Sequence, residues 1–207
     1  MAWDAYRRLV SSYGEVVAGL PASLFEAEIT RVTQGQDERL LDFSQLRQLT
    51  RSFLGLYETH AGRPFPQDAR EQLSGAIEAV FASWNADKAV QYRRIHQIDH
   101  DMGTAVILQR MVFGNTGGHS GAGVGFTRDP GTGEPRLWVD FLANAQGEDV
   151  VSGRRNAHGH ATLAAVAPDA WKQLQASAQA LEQHFQDMED FEFTVQDGVL
   201  HMLQTRS

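Results

Sequence analysis

The sequence predicts an α+β fold, with a helical subdomain over residues 1–89 and an α+β subdomain over residues 90–207. Three observations carry this expectation. Up to about residue 90, apolar residues recur at helical spacing. Beyond it they gather into short runs rich in β-branched and large apolar residues, bounded by glycines. The last stretch, Asp190 to Arg206, reads as two strands around a tight turn at Gln196-Asp197-Gly198.

Taken in order, residues 3–18, 22–33 and 43–60 read as helices. Gly19-Leu20-Pro21 separates the first two, because glycine and proline punctuate regular structure. Pro64 and Pro66 mark the start of a further helix, in which Leu73, Ile77, Val80, Phe81 and Trp84 share one face. Thr104 to Phe113 is expected to be a long strand, and Gly123 to Thr127 and Leu137 to Leu142 shorter ones. A late helix carries Trp171, Leu174, Ala178, Leu181 and Phe185 on one side, and the terminal hairpin follows. A helical segment preceding a mixed one is an α+β pattern.

The bulk numbers narrow the function classes. A length of 207 residues suits one domain or two small ones, and 42% hydrophobic with 21% charged residues is a globular composition. A net charge of −8 without a basic tract argues against general nucleic-acid binding. The cations are almost all arginine, the lysines being Lys88 and Lys172. There is no cysteine, hence no disulfide, thiolate metal site or thiol nucleophile. Nothing in the sequence resembles a signal peptide or a membrane span, so the expected compartment is the reducing cytoplasm and no membrane partner is expected.

The terminal hairpin holds the most informative polar residues. A three-residue loop with Gly198 in the left-handed conformation would pair Val195 with Val199, Glu192 with Met202 and Asp190 with Gln204. Side chains alternate along a strand, so Asp190, Glu192, Gln204 and Arg206 would share one face. Phe191, Phe193, Val195, Val199 and Leu203 would form the other, core-facing one. A two-residue loop would separate Glu192 from Gln204. A carboxylate, an amide oxygen and a guanidinium together suit a magnesium-phosphate site, because Mg2+ takes hard oxygen ligands with few carboxylates and arginine grips phosphate bidentately. An ordinary edge hairpin with a solvated charged rim accounts for the same residues.

Other segments are compatible with chemistry but each has a plainer account. The run Gly114-Asn-Thr-Gly-Gly-His-Ser-Gly-Ala-Gly-Val-Gly125 can present backbone N–H groups to phosphates or serve as a flexible connection. It has neither P-loop nor Rossmann spacing. Gln109 within Leu108-Gln-Arg-Met-Val112 could border an adenine ring or bond a neighbouring loop. Glu148 and Asp149 could orient a metal-bound water or sit in a solvated turn. His158-Gly159-His160 lacks a third ligand at usable spacing for zinc.

Together these segments resemble the nucleotide-binding region of the pyruvate phosphate dikinase family. The matching phrases are Ala79-Val-Phe-Ala-Ser-Trp-Asn85, Tyr92-Arg-Arg94, Gly103-Thr-Ala-Val106, Gln109-Arg-Met-Val-Phe-Gly-Asn115, Gly123-Val-Gly-Phe-Thr-Arg128, Asn144-Ala-Gln-Gly-Glu-Asp-Val-Val151 and Leu203-Gln-Thr-Arg206. They fall in the family's order, and the likeness reaches back to Trp3-Asp-Ala-Tyr-Arg-Arg8. The Phe-Gly-Asn and Asn-Ala-Gln-Gly-Glu-Asp forms favour the dikinase over the related phosphoenolpyruvate synthases.

The resemblance implies an ATP-grasp fold, with ATP held between two lobes, of which this chain carries an incomplete set. It implies that Glu192 and Gln204 hold Mg2+ on the ATP phosphates, that Arg206 stabilises the transferring phosphoryl group, and that Asp190 supports them. It further implies that Gln109, Met111 and Val112 border adenine, that the loop of Ser120, Gly121 and Gly123 closes over the phosphates, and that Glu148 and Asp149 belong to the same site. The family reaction uses ATP, phosphate and pyruvate and passes through a phosphohistidine on a swivelling domain. That domain, the pyruvate-binding barrel and the family's lysine-bearing first nucleotide-binding segment are expected outside this chain, for instance on a partner chain. Ala122 stands where the family usually has threonine, and Arg155-Asn-Ala-His158 replaces a usual Arg-Thr-Pro. The competing expectation is a non-catalytic, partner-binding or regulatory module of the same fold.

Overall fold

The computed structural model describes residues 2–35, 40–151 and 158–207. The chain forms two compact units, Met1–Leu108 and Gln109–Ser207, and its architecture is α+β.

The first unit is helical: α1 (Ala2–Val16), α2 (Ala22–Thr33), α3 (Phe43–Ala61), α4 (Ala69–Ser83), α5 (Asp87–His96) and a 3-10 turn at His100–Met102. Local chemistry sets the boundaries. Asp42 and Gln45 form a reciprocal capping box at the start of α3, and Gly62 ends that helix in the left-handed region at φ 69°. The Asp68 side chain accepts from the N–H groups of Arg70 and Glu71 at the start of α4. Val10, Tyr13, Phe25, Leu49, Phe53, Tyr57 and Phe65 make the core. Its rings meet edge-on, Phe65 lying 5.3 Å from both Tyr13 and Tyr57, a favoured arrangement of aromatic quadrupoles. The change of pattern near residue 90 does not start a strand, because α5 continues to His96. Its Arg93 is buried, lies 3.8 Å over the Trp84 ring and donates to the Trp84 carbonyl at 2.6 Å.

Thr104 to Phe113 is not the expected long strand. Among the described residues, nothing pairs with this run as a strand. Ile107 is 87% exposed, and Leu108 and Met111 are exposed with it. The composition has strand character, but a strand exists only by pairing, and no described strand is paired with this run.

The second unit contains β1 (Gly121–Phe126), β2 (Trp138–Ala143), α6 (Gly147–Val151), β3 (His158–Gly159), α7 (His160–Val166), α8 (Pro168–Phe185), β4 (Asp190–Gln196) and β5 (Val199–Arg206). The strands form one sheet in the order β3-β2-β1-β4-β5, with antiparallel neighbours throughout. Leu163 of α7 and Ala170, Leu174 and Ala178 of α8 pack on Val139, Phe141, Phe191, Phe193 and Val195, which occupy one face. Gly121, Gly123 and Gly125 lie on that same face of β1. A Cβ at these positions would run into the rings of Phe141, Phe193 and Phe191 respectively. The glycines of this strand therefore leave room for phenyl rings.

The terminal hairpin differs from expectation in its turn and agrees in its consequence. The loop has two residues, Asp197 (φ 52°) and Gly198 (φ 83°), with Gln196 paired to Val199, Val195 to Leu200 and Phe193 to Met202. Two positive φ values match the turn type whose twist suits a two-residue hairpin. Leu200 and Met202, rather than Val199 and Leu203, therefore meet the core; Val199 is 55% exposed. The pairing then shifts by one residue between Phe193 and Glu192, leaving Leu203 unpaired. That β-bulge restores parity, so Glu192 stands opposite Gln204 and Asp190 opposite Arg206.

Candidate functional site

The face of the sheet turned away from α7 and α8 carries two polar rows. Residues directly opposite across strands share a face. One row therefore runs Trp138, Phe126, Asp190, Arg206, and the next Asp140, Val124, Glu192, Gln204. Arg206 donates through Nη2 to Glu192 Oε1 at 2.8 Å, and its Nε lies 3.9 Å from Asp190 Oδ1. The Arg206 side chain is 55% exposed and that of Glu192 30%. An ion pair this open contributes only about 0–1 kcal/mol to stability, so the fold does not depend on it and both groups are accessible to a ligand.

Asp140 is a further candidate on this face, absent from the sequence-based expectations. It lies on the same face as Glu192, with Val124 of β1 between them. Its signal in the sequence is a single acid between the core residues Val139 and Phe141. Without the order β2-β1-β4, that acid has no visible relation to the terminal hairpin.

The other expected site residues are placed less uniformly. Ser120 is fully buried; its hydroxyl accepts from the Asp197 N–H at 2.9 Å and is bonded to the Thr116 hydroxyl. It therefore ties the glycine-rich loop to the hairpin turn. Gly121, opposite Val195, is five residues of β1 from the Asp190–Arg206 row, about 17 Å at strand rise. Gly121 and Gly123 face the phenyl-packed side of the sheet. Gln109 and Met111 lie exposed and Val112 half-buried just before the Phe113 N–H, which Gln196 Oε1 accepts at 2.8 Å. Asp149 Oδ2 accepts from the Gln146 N–H at 3.0 Å, at the start of α6. The side chain of Glu148 and most of the Arg155–His158 segment lie outside the described residues.

Arg128, just beyond β1, is already engaged: its Nε and Nη2 both donate to Glu182 Oε1, at 2.9 and 2.7 Å. That bond holds the Glu182 carboxyl below the usual glutamate range. Asp129 is likewise held low, first by its bond from Arg136 and then by the Gly131 N–H, which fixes the β1–β2 connection. A groove of about 520 Å³ between α8 and β5 is lined by Ser177, Leu181, His184 and Met202. Of the polar cluster, only Gln204 borders it.

The donor set fits Mg2+ on a nucleotide. Glu192 and Gln204 are direct cross-strand neighbours, a separation of roughly 5 Å between Cβ atoms. From there a carboxylate oxygen and an amide oxygen can take adjacent positions on one octahedral ion. No group of three or more His, Asp or Glu side chains suited to a metal occurs among the described residues. Mg2+ commonly completes its shell with phosphate oxygens and water rather than with an all-protein cage, so two protein ligands suffice.

Comparison with known proteins identifies the family. The family model described as pyruvate phosphate dikinase, AMP/ATP-binding domain, matches residues 48–164. The chain is 45% identical over its whole length to the chloroplastic pyruvate, phosphate dikinase of Mesembryanthemum crystallinum. It is 44% identical, again over its whole length, to the pyruvate, phosphate dikinases of Clostridium symbiosum and Rhizobium meliloti. It spans 22%, 24% and 25% of the lengths of these three relatives. By the family match, which covers more than half of it, the chain belongs to the pyruvate phosphate dikinase AMP/ATP-binding domain family.

Proposed function

We propose that this chain supplies part of the ATP-binding region of a pyruvate phosphate dikinase-type phosphotransferase. The observation that carries the reading is the bulge at Leu203, which sets Glu192 opposite Gln204 and Asp190 opposite Arg206 on the exposed side of the sheet. In this reading Glu192 and Gln204 hold Mg2+, and Arg206 leaves Glu192 to bind the nucleotide's terminal phosphate. Asp190, opposite Arg206, orients the guanidinium, and Asp140 adds negative potential that favours the cation. Bound there, Mg2+ would neutralise phosphate charge during transfer. Phosphoryl transfer rests mainly on positioning and electrostatics, which suits a site without a nucleophile.

The exposed Gln109–Val112 segment is the adenine border in this reading, and Glu148 and Asp149 lie further out in the same site. The acceptor histidine, the pyruvate site and the remaining phosphate contacts come from other parts of a dikinase assembly. The absence of cysteine accords with a reducing compartment such as the cytoplasm. By itself the chain should bind nucleotide weakly and make no phosphoenolpyruvate. Each missing charge-assisted contact costs about 1.5–3 kcal/mol, roughly ten- to a hundredfold in affinity.

The test is calorimetric titration of Mg-ATP into the chain, with Glu192→Ala as the control. Binding in the millimolar range that the control abolishes supports the reading. Binding that Glu192→Ala leaves intact, or none at all, removes this site and leaves a non-catalytic module of the same fold.

A further inference from the structure

Glu189 is fully buried and precedes the strand that carries Asp190 and Glu192. No ion pair with it occurs among the described residues. Its two carboxylate oxygens instead accept from two hydroxyls, Oε2 from Thr205 at 2.7 Å and Oε1 from Ser207 at 2.6 Å. Both are short O–H···O bonds. Burying a carboxylate without a cation is unfavourable, and an apolar side chain would serve packing better at such a position. The Glu189 backbone is itself fixed to the end of β1. Its N–H donates to the Thr127 hydroxyl at 3.0 Å, and its carbonyl accepts from the Thr127 N–H at 2.9 Å. Thr205 also donates to the Asp190 carbonyl at 3.1 Å.

Thr205 and Ser207 flank Arg206 at the end of β5, which is an edge strand among the described residues. We propose that Glu189 is a positioning residue: its buried carboxylate clamps the chain on both sides of Arg206 and so aims the guanidinium across Glu192. The functional half of this proposal rests on the nucleotide reading above; the clamp itself does not.

Mg-ATP titration of the whole chain should compare wild type, Glu189→Ala, Arg206→Ala and the double variant, with Glu189→Gln and Thr205→Val as milder changes. Glu189→Ala should weaken binding roughly tenfold, the size of one charge-assisted contact. In the Arg206→Ala background it should weaken binding no further. Glu189→Gln, which keeps one acceptor oxygen in place, should recover most of the loss. Equal weakening in both backgrounds, or a lower melting temperature with unchanged affinity, would mean that Glu189 is only structural and would overturn the proposal. If wild type fails to bind, or Arg206→Ala binds normally, the nucleotide reading fails instead. The clamp is then judged by NMR order of the Arg206 Nε–H group, which should fall in Glu189→Ala and in Thr205→Val. Unchanged order in both variants overturns it.

Discussion

Glu192 stands directly across from Gln204 although the hairpin joining their strands turns in only two residues. The unpaired Leu203 reconciles the two facts. An uninterrupted ladder from that turn would place Glu192 opposite Leu203, with Gln204 and Arg206 on the helix-covered face.

Inserting one alanine after Leu203 should therefore do what deleting Leu203 does not. With the insertion the ladder can run on without a bulge, Leu203 opposite Glu192 and Gln204 opposite Asp190, so the Glu192–Gln204 pair is lost; deletion joins Met202 directly to Gln204 and keeps that pair. The expected outcome is loss of Mg-ATP binding in the insertion variant and near wild-type binding in the deletion variant. Leu203→Ala keeps the count of residues and should retain binding within about twofold, a difference below roughly 0.4 kcal/mol. An insertion variant that still bound nucleotide normally would show that the Glu192–Gln204 pairing is not what makes the site.

Gly125→Ala tests whether the glycines of β1 make room for rings. The added Cβ would lie 2.6 Å from Phe191 Cζ and 2.9 Å from the Trp138 carbonyl oxygen, with backbone on one side that cannot yield. Overpacking of this kind costs about 1–3 kcal/mol, readable by urea or thermal denaturation. An alanine that left stability unchanged would return Gly125 to the status of a loop-type glycine.

Acid should release the Arg128–Glu182 pair. The Glu182 carboxyl is held low in the folded protein by the Arg128 hydrogen bond. Its contribution is thus present above the unfolded value, about 4.3, and is lost as pH falls through the lower folded value. The gap in melting temperature between wild type and Glu182→Gln should be constant at about pH 6 to 8 and close progressively below about pH 4.3. A gap that widened on acidification would contradict the assignment.

Hydrogen exchange should separate the Thr104–Val112 run from the sheet. Its backbone N–H groups have no partner among the described residues, so they should exchange early. Those of β1 and β4, bonded on both sides, should be among the last of their unit. Slow exchange at Ile107 and Leu108 would reveal a pairing partner, such as a second copy of the chain.

The sequence by itself determined much of this protein, because many of its signals are local. Asp42 with Gln45, Asp68, and the Gly19-Leu20-Pro21 break specify helix ends through groups only a few residues apart. Alternation along Asp190–Val195 puts Phe191, Phe193 and Val195 on a core face, and Trp171, Leu174 and Ala178 do the same at helical spacing. The motif order was enough to name the family. Tertiary structure decided the rest, because it depends on partners distant in the chain. Whether Thr104–Phe113 becomes a strand depends on an available edge, not on its own composition. Ser120 binds the hairpin turn, and Gly123 lies under a ring from β4, relations that no local pattern encodes. Asp140 reaches the site face only through the order β2-β1-β4. The register of the last hairpin was fixed by the left-handed Asp197-Gly198 turn and by a bulge where Glu189 clamps the strand end, for parity along a strand is local but the ladder that sets it is not.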